Sequence, residues 1–109
     1  MSEPAPVVTV ADVPEGAVLL DVREPDEWDA GHAPGALHVP LGELPSRLGD
    51  LPDDAELQVL CRAGGRAARA AAWLQDNGYD AVVVEGGMGA WQDAGRPVVA
   101  EGGAAPRVL

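Results

Sequence analysis

The 109 residues predict one α/β domain built on a largely parallel sheet. Apolar runs of strand length recur at Val7–Val10, Val18–Val22, Leu37–Val39, Leu57–Leu60 and Ala81–Val84. Segments with helical signals stand between them, as in units whose strands are joined by helical crossovers. The run Val18–Val22 is broken only by Asp21, which suits a strand covered on both faces.

Taken in order, residues 1–6 read as a loose lead-in of Pro and small residues, and residues 7–98 as the domain. Val13-Pro14-Glu15-Gly16 is a turn after the first strand. Pro25-Asp26-Glu27-Trp28 opens a short helix, because Pro fits a first helical turn and acids there face the positive end of the dipole. Gly31 closes it, and residues 31–36 are loop. Leu41, Leu44 and Leu48 fall on one helical stripe, limited by Pro45. A helix is expected from about Ala67 to Asn77, stopped by Gly78. A last helix opens within Glu85–Trp91 and closes near Gly95. Residues 99–109, rich in Gly, Ala and Pro, read as a loosely attached tail.

Composition narrows the function classes. A formal charge of −11 and the absence of Lys argue against nucleic acid or an anionic membrane surface as partner. No apolar run approaches the roughly 20 residues of a membrane span. The N-terminus lacks the basic and apolar segments of a signal peptide. One Cys cannot make an internal disulfide, so a reducing compartment, the cytoplasm, is the expectation.

The chemistry concentrates after the fourth strand, in Cys61-Arg62-Ala63-Gly64-Gly65-Arg66. In a parallel sheet the site lies beyond the carboxyl ends of the strands, and this loop is such an end. Amides that precede a helix converge on one centre, and the helix N-terminus adds positive potential there. Gly64 and Gly65 let the backbone curl closely. Arg62 and Arg66 add permanent charge, so the loop is suited to a nucleophilic thiolate. A lone Cys is more often a small buried hydrophobe; a Gly-Gly pair and two Arg around a mere packing residue would lack a purpose.

Three blocks resemble one family. Leu20-Asp21-Val22-Arg23 through Glu27-Trp28, then Gly31-His32-Ala33-Pro34-Gly35-Ala36 and Pro40, are similar to its N-terminal signature. Cys61–Arg66 resembles its active-site loop, and Gly86-Gly87-Met88-Gly89-Ala90-Trp91 with Gly95 and Pro97 its C-terminal one. The family is the rhodanese-like domain in its small single-domain sulfurtransferase form. The resemblance implies a three-layer fold, with a mostly parallel five-stranded sheet between helices. It implies a sulfurtransferase of the thiosulfate:cyanide type, working by ping-pong through a Cys61 persulfide, without metal or organic cofactor. Arg62, Ala63, Gly64, Gly65 and Arg66 would bind the substrate, while Asp21, Arg23 and His32 would support the site. The partners would be a small sulfur donor and a thiol or cyanide acceptor, or a protein in a sulfur relay.

Two departures bear on the donor. Ala63 and Ala67 stand where members of the family often carry hydroxyls, which weakens recognition of a sulfonate-like donor and favours a persulfide. Two other readings compete. A phosphatase or arsenate reductase also uses Cys, amides and Arg, but the loop here is one residue shorter than in the Cys-based phosphatases. Non-catalytic binding modules that resemble this family typically lack the Cys that this chain keeps, and a redox-sensing thiol that is simply oxidised is the other form of that reading.

Overall fold

The computed structural model describes residues 4–109. Residues 1–3 of the expected lead-in lie outside the described residues. The strands form at the apolar runs: β1 (Val7–Val8), β2 (Val18–Asp21), β3 (Leu37–His38), β4 (Leu57–Leu60) and β5 (Ala81–Val84). The helices are α1 (Pro25–Ala30), α2 (Leu44–Arg47), α3 (Gly65–Asp76) and α4 (Gly87–Asp93). Single 3-10 turns fill Val10–Asp12, Leu41–Glu43, Leu48–Asp50 and Glu101–Gly103.

The sheet is five-stranded and parallel, in the order β1-β5-β4-β2-β3. After β2 the chain steps outward to β3, then returns to place β4 on the other side of β2. The order therefore reverses between β2 and β4, and the carboxyl ends of those two strands flank the crevice where α/β sheets bind ligands. Asp21 pairs in register with Leu60, and the Val22 amide donates to the Leu60 carbonyl at 3.0 Å. Arg23 and Cys61 thus follow neighbouring strands at one edge.

Period-two geometry sorts the core into two layers. Leu20, Leu57, Val59, Cys61, Ala81 and Val83 join Leu44 and the α3 residues Ala67, Ala70, Ala71 and Leu74. Leu19, Leu60 and Val84 face the opposite way, against Met88 and Trp91 of α4. The Ala-rich face of α3 lets the helix lie close to the sheet. Buried Cys61 therefore belongs to the α3 side.

The sequence expectations differ at three places. Val10 leaves the first strand for a 3-10 turn, where the Thr9 hydroxyl donates to the Asp12 carboxylate at 3.1 Å. Helix α3 begins at Gly65 rather than Ala67, since the Ala68 amide already bonds the Gly64 carbonyl. The C-terminal segment, read as loosely attached, is docked along the end of α1. His32 and Val99 exchange backbone hydrogen bonds of 2.8 and 2.9 Å, and the Arg107 amide donates to the Ala30 carbonyl at 2.9 Å. Trp28 Nε1–H donates to Glu101 at 3.2 Å. Composition alone gave no hint of these partners, because the bonds are mostly backbone ones.

Candidate active site

The site is built where β4 hands over to α3. Cys61 is 1% exposed, while Arg62, Ala63 and Gly65 of the loop that turns over it are exposed. Gly64 has φ +124°, a conformation that favours glycine. This turn aims the Gly64 amide at the sulfur, which accepts its hydrogen bond at 2.9 Å. Gly65 does not share the role: it is helical and its Cβ position is open. The twelve-residue α3 starts at this point, so its positive end faces the thiol.

The opposite side of the loop is held by α4. The Met88 amide donates to the Cys61 carbonyl at 2.7 Å, and the Gly89 amide to the Arg62 carbonyl at 3.1 Å. In a planar trans peptide the following N–H points opposite to its carbonyl. Tying both carbonyls to α4 therefore turns the Arg62 and Ala63 amides away from that helix. A Cβ on Gly87 would run into the Cys61 carbonyl, and one on Gly89 into the Arg62 guanidinium. The glycines of the C-terminal motif thus make room for the thiol loop.

Arg66 lies in the first turn of α3 and faces α1. Its Nη1 and Nη2 donate to the two Glu27 oxygens at 2.7 and 2.9 Å, a fork-to-fork pair. This bond is the main cause holding the Glu27 carboxyl down at about 2, against the opposing effect of burial, and Glu27 in turn raises Arg66. Arg66 is therefore a neutralised strut between α1 and α3, and Arg62 is the loop cation without a carboxylate partner among the described residues.

Beneath the loop, Asp21 and Arg23 are fully buried. Arg23 Nε donates to Asp21 at 3.0 and 3.1 Å, its Nη2 to the same carboxylate at 2.8 Å and to the Gly31 carbonyl at 2.7 Å. The pair ties the end of β2 to the end of α1. His32 Nδ1–H donates to the Trp28 carbonyl at 2.7 Å, and His38 Nε2–H to the Arg23 carbonyl at 2.8 Å. Carbonyls only accept, so each partner fixes which ring nitrogen carries a proton. No group of three or more potential metal ligands occurs among the described residues, and no helix among them is long and apolar enough to cross a membrane.

Sequence reasoning missed two features. Glu27 has its partner in Arg66, 39 positions away, which neither its place in a first helical turn nor its place in the N-terminal signature indicates. Trp28 is stacked between His32, at 3.6 Å and 4°, and His38, at 4.6 Å and 6°. His32 lies past the Gly31 that ends α1, so the helical i, i+4 rule does not reach the first contact. The second joins a helix to a strand beyond a loop, and no local pattern reveals it.

Comparison with known proteins agrees with this architecture. A family model described as the Rhodanese-like domain matches residues 10–94. A sulfurtransferase of Allochromatium vinosum is 38% identical over 90 residues, covering 82% of this chain and 84% of that protein. The crystal structure of a rhodanese-related protein from Thermoplasma volcanium is 35% identical with a TM-score of 0.83, covering 88% of this chain and 99% of that one. An NAD-dependent persulfide reductase from A. fulgidus is 32% identical with a TM-score of 0.68, over 80% of this chain but only 16% of that one. The chain belongs to the rhodanese-like domain family, whose members include proteins named sulfurtransferases.

Proposed function

We propose that the protein transfers a sulfane sulfur through a persulfide on Cys61. The observation that carries this reading is the Gly64 amide on Cys61 Sγ at 2.9 Å, in a loop placed at the sheet's switch point. In the first half-reaction the Cys61 thiolate attacks the outer sulfur of the donor. The donor's sulfur–sulfur bond breaks and its electron pair leaves with the departing anion. In the second, an acceptor thiolate or cyanide attacks the outer sulfur of the persulfide and returns the electron pair to Cys61. No external oxidant or reductant is needed.

The chain's residues divide this work. Gly64 and the neighbouring amides stabilise charge on the sulfur pair. Arg62 attracts the anionic donor at the exposed edge of the loop. Arg66 keeps the loop closed by its bond to Glu27, while Asp21, Arg23 and His32 hold the supporting turns. The missing hydroxyls at Ala63 and Ala67, together with the overall charge of −11, favour a persulfide over thiosulfate as the donor. The similarity to a persulfide reductase supports this choice.

Intact mass spectrometry tests the reading. Incubation with a persulfide or with thiosulfate is expected to add one sulfur, which cyanide then removes. Cys61→Ala is expected to abolish the addition completely. Hydrolysis of an aryl phosphate that depended on Cys61, with no sulfur added, would assign the site to a phosphatase instead.

A further inference from the structure

Most of the chain's positive charge is already engaged. Arg23 is paired with Asp21, Arg47 with Glu43 and Asp50, and Arg66 with Glu27, while Arg96 donates to the Val13 carbonyl. Among the described residues, the side chains of Arg62, Arg69 and Arg107 have neither a carboxylate partner nor a hydrogen bond. Arg69 stands over an apolar cavity. A groove of about 290 Å³ opens beside α3, lined by Leu41, Leu44, Pro45, Trp73 and Arg69.

The groove lies on the same side of the sheet as the thiol. Leu44 shares a buried cluster with Cys61, Ala67 and Ala70, and Leu41 and Trp73 pack against it. The Leu41 amide bonds the Val22 carbonyl, and the Val22 amide bonds the Leu60 carbonyl, both at 3.0 Å. Two strand spacings, about 10 Å, therefore separate Leu41 from the residue before Cys61. Arg69 follows Arg66 by three residues, about 4.5 Å along the helix axis. The groove and the thiol loop thus lie within the length of one small organic molecule of each other.

We infer that this groove is the subsite for the organic part of the acceptor, a small thiol with an apolar body and a carboxylate that pairs with Arg69. The inference deepens the persulfide reading of Cys61 and rests on it. On a protein of charge −11 an anionic acceptor is repelled from most of the surface. An unengaged guanidinium beside an apolar wall retains an acid with a hydrocarbon body, whereas a purely inorganic anion gains nothing from Leu41, Leu44 and Trp73. In the step itself the acceptor thiolate attacks the outer sulfur and the bond to Cys61 Sγ breaks. Its electron pair stays on Cys61, and the product is the acceptor's persulfide.

The test uses the full chain, loaded with sulfur and checked by mass before each measurement. Transfer is then timed to mercaptopropionate, mercaptohexanoate and mercaptooctanoate, and to mercaptohexanol. The expected kcat/KM rises with chain length by about twofold per added methylene, half the value for full burial. Mercaptohexanoate should exceed mercaptohexanol by about fivefold, as for a partly exposed ion pair. Arg69→Gln is expected to bring the acid down to the level of the alcohol, while Arg107→Gln keeps the difference. Equal rates for acid and alcohol in the wild type, a preference that survives Arg69→Gln, or one removed by Arg62→Gln instead would overturn the subsite. Failure of the enzyme to take up sulfur at all would strike the persulfide reading instead, and the loading check separates the two.

Discussion

Two strand-to-helix junctions stand side by side at the carboxyl edge of the sheet, and both are rich in glycine. The β4–α3 junction carries the thiol, and the β5–α4 junction carries no reactive group. Yet the second is sterically the more demanding. Gly87, with φ +53°, lies against the Cys61 carbonyl, and the Met88 and Gly89 amides are spent on the carbonyls of Cys61 and Arg62. In the first junction only Gly64 needs its unusual backbone, and Gly65 has open space around it. The residues that present the sulfur are constrained less by their own loop than by the helix that grips it from behind.

Gly87→Ala should break this arrangement most severely. The added methyl meets backbone rather than a movable side chain, and the position is left-handed as well. A loss of about 2–4 kcal/mol is expected from the two effects together. Chemical denaturation of the variant measures it. A drop below about 1 kcal/mol would mean that α4 can retreat from the thiol loop, and the comparison above would lose its basis.

The legibility of the chain follows the same division. The strands, their parallel arrangement and the thiol's place at a strand end were readable, because each depends on local runs and turn residues. Asp21 and Arg23 were marked as supporting residues by the family resemblance alone, and the fold shows the buried ion pair through which they act. The partnership of Gly87 with Cys61 was not, although Gly86-Gly87-Met88-Gly89 was recognised as a motif. A motif shows that glycine is wanted, whereas what a Cβ would strike lies in another element. Glu27 with Arg66, and Val99 with His32, were hidden for the same reason: each joins segments whose proximity only the folded sheet establishes. The boundary of α3 moved because a glycine pair favours either a loop or a helix start.

Glu27→Gln tests the strut that joins the thiol junction to α1. The Glu27 carboxyl is lowered from 4.5 to about 2, first by its bond to Arg66. A lowered folded-state value means that the stabilisation is fully present above 4.5 and fades as pH falls toward 2. At neutral pH the variant is expected to lose about 1–2 kcal/mol, a modest figure because the pair is partly exposed. The gap between wild type and variant should hold level from pH 7 to about 4.5 and narrow below it, as read from urea midpoints down to about pH 3. A gap that stayed constant would show that the carboxylate's charge plays no part in holding Arg66.

Gly65→Ala should have the smallest effect and the opposite sign. Gly65 is the first residue of α3, its φ is not in the left-handed region, and a Cβ there meets nothing within 4 Å. Glycine in a helix carries an entropic cost that Ala removes, so a gain of about 0.5 kcal/mol is expected at this terminal position. Ala also keeps the backbone N–H, so any part the Gly65 amide plays in holding a persulfide survives the substitution. Sulfur loading should therefore change by less than about twofold, well under 1 kcal/mol in barrier height. If the variant gained stability but lost loading by an order of magnitude, the bare Gly65 Cα would be part of the donor's path to Cys61. The steric demand would then belong to the thiol junction after all, arising with the donor in place rather than in the folded chain alone.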